Sequence, residues 1–282
     1  MMSRLSSVVE RHPLITFFVL MFALSWWTWP LYVAGLSPSS LIPSQLFAAL
    51  IVISITQGWS GLRELGSRMI RWRVRWYWYA VAIGLPLAVL LVAVALNVAL
   101  GAGGSPSLAG VGPLSSLLVV YAVRLINPLD GPMGEEPGWR GFALPVLQGS
   151  GRSPLLASLI LAPIVALWHV PLVVTHQFSP AILLGAFTFT FVATWVFNHT
   201  GGSVFMTILL HTAEGTIGLL DGVGFVGAAL AQLAWVYSGV WLVVAIGLVV
   251  FDWEAWRAPA PAEATTSPRA IPPRGAAPVA PA

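Results

Sequence analysis

The sequence places two adjacent glutamates and an arginine inside a strongly apolar chain. Glu135, Glu136 and Arg140 lie in the segment GEEPGWRGFAL, although only 8% of all residues are charged. An ionisable side chain at membrane depth costs roughly 3 kcal/mol or more unless it is paired or hydrated, so it usually marks a functional site. A carboxylate can take a proton from water while an imidazole positions that water, and together they can deliver a hydroxide equivalent to a carbonyl carbon. The segment is therefore a candidate for hydrolytic chemistry.

Two histidines in later apolar segments are the candidate partners of these carboxylates. His169 lies in ALWHVPLVV and His211 in ILLHTAEGT. A single histidine among apolar residues is more often a packing residue, but two of them in a chain with a Glu-Glu-Arg group favour a catalytic role. Glu214 follows His211 by one helical turn and could orient its imidazole. Asn198 could add a hydrogen-bond donor for a developing oxyanion.

Transmembrane helices are predicted to carry these groups. The 282-residue chain is 57% hydrophobic, has a mean hydropathy of +0.85, and contains apolar runs of about 18 or more residues along most of its length. The composition predicts an all-α, polytopic transmembrane helical bundle with about eight spans and a broken fourth span. The predicted spans are 14–36, 42–60, 77–100, 114–129 continuing through 136–148, 154–175, 180–198, 203–220 and 228–250.

The fourth span is interrupted directly before the glutamates. The stretch NPLDGPMG, residues 127–134, is rich in turn-forming residues, and Pro137 suits the first turn of a helix. We therefore predict a helix that restarts at Pro137, with both glutamates at its N-terminus, where the helix dipole favours anions. Glu136 and Arg140 are spaced i, i+4 and are predicted to form an ion pair, which leaves Glu135 as the freer carboxylate. Broken backbone at membrane depth is tolerated where it lines a wet cavity, so water is expected at this site.

The placement of arginine predicts the orientation in the cell membrane. All 13 basic residues are arginines, and cytoplasmic loops hold the excess of basic residues. With eight spans, both termini are predicted to be cytoplasmic. Residues 1–257 form the predicted transmembrane domain, and the Ala/Pro-rich residues 258–282 are predicted to be a disordered cytoplasmic tail. The loops predicted on the opposite side contain no arginine and lie near 37–41, 101–113, 176–179 and 221–227.

Two further observations restrict the class of partner and of site. The stretch RWRVRWYWY, residues 71–79, alternates arginine with aromatic residues. This pattern is typical of interfacial anchors, so it indicates contact with the lipid bilayer and no nucleic acid. The chain contains no cysteine, which excludes disulfides and thiolate metal sites.

The motifs resemble those of the CPBP family of intramembrane proteases, which includes the CAAX prenyl endopeptidases and bacterial relatives. Glu135, Glu136 and Arg140 match the family's Glu-Glu-x-x-x-Arg motif, and the context GEEPGWRGFALPVLQ is close to the bacterial form. His169 matches the histidine of the second motif, F-x-x-x-H, although Val165 stands where phenylalanine is usual.

The later motifs extend the resemblance over about residues 114–220, the protease-like core. Asn198, Thr200 and Gly201 match the third region, and His211 begins the last motif, H-x-x-x-N. The resemblance implies an intramembrane endopeptidase that hydrolyses a peptide bond of a membrane-embedded or lipidated substrate.

The resemblance also implies a role for each site residue. Glu135 with His169 would activate the attacking water, while the last-motif histidine, His211, and an asparagine would stabilise the oxyanion. In this chain the asparagine position is Gly215. Losing one such donor typically costs about a hundredfold to a thousandfold in rate. The substitution Gly215→Asn is therefore expected to restore a donor and to raise turnover.

Three alternatives to a metal-free protease follow from the same residues. Zinc would need three protein ligands, which His169, His211 and either Glu135 or Glu214 could supply; no local zinc motif is present, so no cofactor is predicted. A transporter or proton relay also places ionisable residues inside spans, but no inverted repeat is visible. A non-catalytic relative with an immunity or scaffolding role would keep the residues without turnover.

Overall fold

The protein is all-α over the described residues. The computed structural model describes residues 2–107, 113–217 and 223–258, and none of them forms a strand. A π-helical turn, Trp139–Ala143, separates two of the α-helices. The α-helices are α1 Met2–Arg11, α2 Pro13–Trp26, α3 Thr28–Val33, α4 Gln45–Thr56, α5 Gly58–Met69, α6 Tyr77–Ala99, α7 Leu114–Ile126, α8 Gly131–Gly138, α9 Leu144–Gly149, α10 Pro154–Trp168, α11 Val170–Val174, α12 Ala181–His199, α13 Val204–Ile217, α14 Gly227–Phe251 and α15 Trp253–Arg257.

Five helical segments of the described chain are long and apolar enough to cross a membrane. They are 13–33, 77–99, 154–174, 181–199 and 227–251. The predicted span 42–60 is divided between the short helices α4 and α5, because the backbone turns at Gly58, whose φ is +60°. The structure confirms an all-α polytopic membrane bundle, and the count of eight crossings stays a prediction.

The break before the glutamates is present, but the helix restarts earlier than predicted. The helix α7 ends at Ile126, and α8 begins at Gly131 rather than at Pro137. The side chain of Asp130 caps α8, since its Oδ1 accepts a hydrogen bond of 2.7 Å from the Gly131 N–H. The prediction of a start at Pro137 was wrong because this cap initiates the helix six residues upstream. The glutamates therefore lie in the second turn of α8, beyond the free N–H groups of its first turn.

Glycines let α8 and the π turn pack closely against earlier helices. A methyl group on Gly138 would lie 2.6 Å from the Gln45 carbonyl oxygen, and one on Gly141 would lie 2.4 Å from Leu65 Cδ1. Trp139 between them is fully buried, with its ring 6.0 Å from that of Phe17. Small residues permit this approach of backbones inside a membrane, so the segment that carries the site is held firmly against α2, α4 and α5.

Other predictions fall partly outside the described residues. The predicted tail lies beyond them except for Ala258, and so do residues 108–112 and 218–222 of the predicted outer loops. The helix α13 meets α6, α7 and α8 along its length, whereas α12 packs between α10 and α14. The site residues on α8 and α13 therefore face each other inside the bundle.

Candidate functional site

Glu136 is the centre of a buried group of charged side chains. Its Oε1 accepts a hydrogen bond of 3.0 Å from Arg140 Nη1 and one of 2.9 Å from His211 Nδ1. The Glu136 side chain is 0% exposed and that of Arg140 2%. The predicted i, i+4 ion pair is therefore present, and the same carboxylate also orients the imidazole of a distant helix.

Arg140 is held in place by more than this ion pair. Its guanidinium carbon lies 5.9 Å from the centre of the Phe189 ring on α12, a cation–π arrangement. The Phe189 ring also lies 5.2 Å from the imidazole of His211. The Nε and Nη2 atoms of Arg140 are buried without a hydrogen-bond partner among the described residues. Its charge therefore depends on Glu136 for compensation.

The Glu135 carboxylate accepts fewer and longer hydrogen bonds than that of Glu136. The only hydrogen bond to its carboxylate from the described residues comes from Trp139 Nε1, at 3.4 Å to Oε2. The residue is 5% exposed, and its charge interacts electrostatically with His211. Glu135 is thus the freer carboxylate of the pair, as the sequence predicted.

His169 lies at the bend between α10 and α11. Its Nδ1 is 2.8 Å from the Val165 carbonyl oxygen. Because a carbonyl oxygen can only accept, Nδ1 carries the hydrogen, and in the neutral imidazole Nε2 keeps its lone pair. The imidazole is close enough to that of His211 for the two to interact electrostatically. His169 can therefore accept a hydrogen bond from a water molecule through Nε2.

Three polar atoms from three helices face the Cα of Gly131. A methyl group at Gly131 would lie 3.1 Å from Glu135 Oε1, 3.8 Å from His211 Nε2 and 3.9 Å from Arg124 Nη2. Glu135 belongs to α8, His211 to α13 and Arg124 to α7. Because glycine has no side chain, these three polar atoms can come together beside residue 131.

Two of the side chains beside Gly131 are partly exposed. The Arg124 side chain is 24% exposed and that of His211 17%, in contrast to the fully buried Glu136. The helix α7, which carries Arg124, has no buried residue and lies at the periphery. Two of these side chains are therefore partly exposed, while the carboxylate that orients His211 is fully buried.

The two predicted supporting residues have different positions. Glu214 accepts a hydrogen bond of 3.2 Å from the Tyr237 hydroxyl and interacts electrostatically with His211 and Arg124. Asn198 lies near the end of α12, in a recess lined by Pro154, Trp195, His199, Ala255 and Trp256. It is about 13 Å along that helix from Phe189. The structure brings Glu214 to the site and places Asn198 elsewhere.

The predicted alternative metal ligands do not form a cluster. Among the described residues, no three His, Cys, Asp or Glu side chains are arranged to hold a metal ion together. The set of His169, His211 and Glu135 or Glu214 therefore does not fit a zinc site as it stands.

Arg124 is a residue of this site that the sequence pointed out, with Asp130, only as a feature of a possible transporter or proton relay, and not as part of the catalytic group. Its guanidinium lies over Gly215, where a methyl group would be 2.6 Å from Arg124 Nη2 and 3.0 Å from Cζ. The expected gain of a donor from Gly215→Asn must therefore be revised, because an asparagine there would displace an existing donor. An ionisable residue within an apolar helix was the available signal, but its pairing across α13 could not be derived from spacing.

A membrane-embedded helical bundle with buried glutamates and a buried arginine beside a partly exposed histidine is the class of protein that this fold and site define. Comparison with protein families refines that class: residues 113–217 match the family model described as type II CAAX prenyl endopeptidase Rce1-like. The matched segment contains all the predicted site residues. Over these residues, the match confirms the resemblance to the CPBP family of CAAX proteases that the motifs indicated. No curated protein matches the chain.

Proposed function

We propose that this protein is an intramembrane endopeptidase that hydrolyses a peptide bond in a membrane-associated or lipidated substrate. The observation that carries the proposal is the convergence of Glu135 Oε1 and His211 Nε2 on Gly131. A carboxylate with one weak partner stands beside an imidazole that a buried carboxylate orients. This pairing of a free base with an oriented imidazole suits general acid–base catalysis on water.

Each side chain has a role that its hydrogen bonds allow. Glu135 is the general base, and His169 Nε2 accepts the second hydrogen of the water. His211 donates its Nδ1–H to Glu136, and that carboxylate stabilises the imidazolium form, in which Nε2–H is a second donor. The Nε2–H can then donate to the oxygen of the scissile carbonyl. Arg140 offsets the second negative charge of the Glu-Glu pair.

The proposed reaction has two steps. The water oxygen bonds to the carbonyl carbon, one water proton passes to Glu135, and the carbonyl π electrons move to the oxygen that His211 stabilises. The carbon–nitrogen bond then breaks, and the proton on Glu135 passes to the nitrogen, which leaves as an amine. The other product is a carboxylic acid, and Glu135 returns to its ionised form.

The first test compares the membrane proteomes of cells that carry the native chain, Glu135→Gln or Glu254→Gln. Glutamine keeps the volume of Glu135 and an oxygen for Trp139, but it cannot act as the base. Glu254 is the matched control, because it is paired with Arg257 on an exposed helix and its side chain is 76% exposed. We expect peptides to accumulate uncut only with Glu135→Gln. If the three strains show the same peptides, the proposal is contradicted.

The second test uses the purified protein in liposomes with a fluorogenic peptide. The peptide carries a farnesylated cysteine followed by three residues, and an unmodified copy of the peptide measures the contribution of the lipid. Glu135→Gln should lose cleavage of whichever peptide the native chain cuts. A phenotype that survives this substitution would instead favour the non-catalytic alternative.

A further inference from the structure

We infer that Arg124 is a further catalytic residue of this site, and that its guanidinium donates to the scissile carbonyl oxygen as negative charge develops there. The inference rests on the proposed function, because it assigns a second oxyanion donor to the same reaction. Arg124 lies on a peripheral helix and in none of the sequence motifs. Its role therefore depends on how the helices assemble.

The geometry places the guanidinium beside the reacting groups. Arg124 Nη2 lies within 3.9 Å of the same point over Gly131 that Glu135 Oε1 and His211 Nε2 face. A carbonyl oxygen that approaches these side chains can receive hydrogen bonds from Arg124 and His211 together. Two donors from different helices would thus bind the oxygen, and the Glu135 carboxylate lies beside them.

The hydrogen-bonding capacity of Arg124 is largely unused. A guanidinium has five N–H donors, whereas the one ion pair of Arg124 in the described structure joins Nη2 to Asp130 Oδ1 at 3.4 Å. Its Nε is buried without a hydrogen-bond partner among the described residues. Asp130 Oδ1 makes the shorter bond of 2.7 Å to the Gly131 N–H. The guanidinium can therefore add contacts to a substrate without losing its existing one.

Gly215 makes the room that Arg124 occupies. A methyl group at position 215 would lie 2.6 Å from Nη2, so any larger residue would push the guanidinium away. The departure from H-x-x-x-N thus exchanges one donor for another. Arginine also keeps its charge at every accessible pH, so it stabilises an oxyanion more strongly than an amide can.

The test is steady-state cleavage of the farnesylated fluorogenic peptide by four variants in liposomes. They are Arg124→Ala, Gly215→Asn, the double variant with both changes, and Asp130→Asn. The last changes the charge partner of Arg124 and keeps α8 capped, since asparagine also caps helices. A fifth variant, Arg257→Ala, is the matched control, because it removes an arginine that has one ion pair, with Glu254, outside the site. Thermal unfolding in detergent checks that each variant folds.

We expect Arg124→Ala to lower kcat by about a hundredfold to a thousandfold, with KM little changed, because the contact forms mainly in the transition state. Gly215→Asn alone should lower kcat by displacing the guanidinium. The double variant should recover part of the loss, since its asparagine has room and supplies an amide donor. Arg257→Ala should stay close to the native kcat.

The outcomes separate this inference from the proposed function. If Arg124→Ala cleaves the peptide as fast as the native chain while Glu135→Gln does not, Arg124 is no catalytic residue and the protease proposal stands. If Arg257→Ala loses as much kcat as Arg124→Ala, the loss does not depend on where the arginine lies and the inference fails. If the native chain cleaves no faster than Glu135→Gln, the proposed function and the inference both fail.

Discussion

Substitution by glutamine should reduce the stability of the protein at Glu136 but its peptide cleavage at Glu135. Glu136 compensates a guanidinium that is only 2% exposed and has two further nitrogens without partners among the described residues. Removing one partner of such a buried pair typically costs about 3–5 kcal/mol, because the remaining charge is left uncompensated. Glu136→Gln should therefore destabilise the protein by that amount.

Glu135→Gln should have little effect on stability. The hydrogen bond from Trp139 is 3.4 Å long, and glutamine retains an oxygen that can accept it. The expected cost is at most about 1 kcal/mol, the usual net value of one hydrogen bond. Cleavage should nevertheless be lost, because the amide cannot take a proton from water.

Thermal unfolding in detergent and peptide cleavage in liposomes measure the two effects separately. At about 2–4 °C per kcal/mol, Glu136→Gln should lower Tm by on the order of 10 °C, whereas Glu135→Gln should leave Tm nearly unchanged. Adding Arg140→Met to Glu136→Gln should recover much of the stability, since the buried charge is then absent. Equal losses of Tm for the two glutamate variants would refute the division of roles between them.

Two other predictions come from individual contacts, and a third comes from the predicted topology. Gly131→Ala should reduce cleavage, because its methyl group would lie 3.1 Å from Glu135 Oε1; Gly239→Ala, which has open space around it, is the control, and equal activity of the two would argue against a site over residue 131. Gly138→Ala should lower the free energy of unfolding by about 1–3 kcal/mol through overpacking against the Gln45 backbone, and an unchanged Tm would contradict the close packing of α8 on α4. For topology, Ser105→Cys should react with an impermeant thiol reagent from outside the cell and a cysteine in the C-terminal tail should not; the absence of natural cysteine makes the assay direct, and labelling on the same side would contradict eight spans.

Local spacing accounts for what the sequence determined. The apolar runs indicated an all-α membrane bundle, and the i, i+4 spacing predicted the pairing of Glu136 with Arg140. Both depend on helix geometry, which is the same in any fold. The motif order also indicated the family whose model matches residues 113–217. The start of α8 is also encoded locally, by the Asp130 cap. The prediction was wrong because it gave the proline at position 137 more weight than this cap.

Only the tertiary structure decided which side chains meet. His211 is 75 residues from the carboxylate that orients it, and Arg124 lies over a glycine of another helix. Such contacts depend on how closely the helices cross. Here glycines, which have no side chain, let neighbouring helices approach each other closely. Asn198 carries the expected amide group but lies near the far end of α12. Position along a helix, and not residue type, determines which groups a side chain can reach.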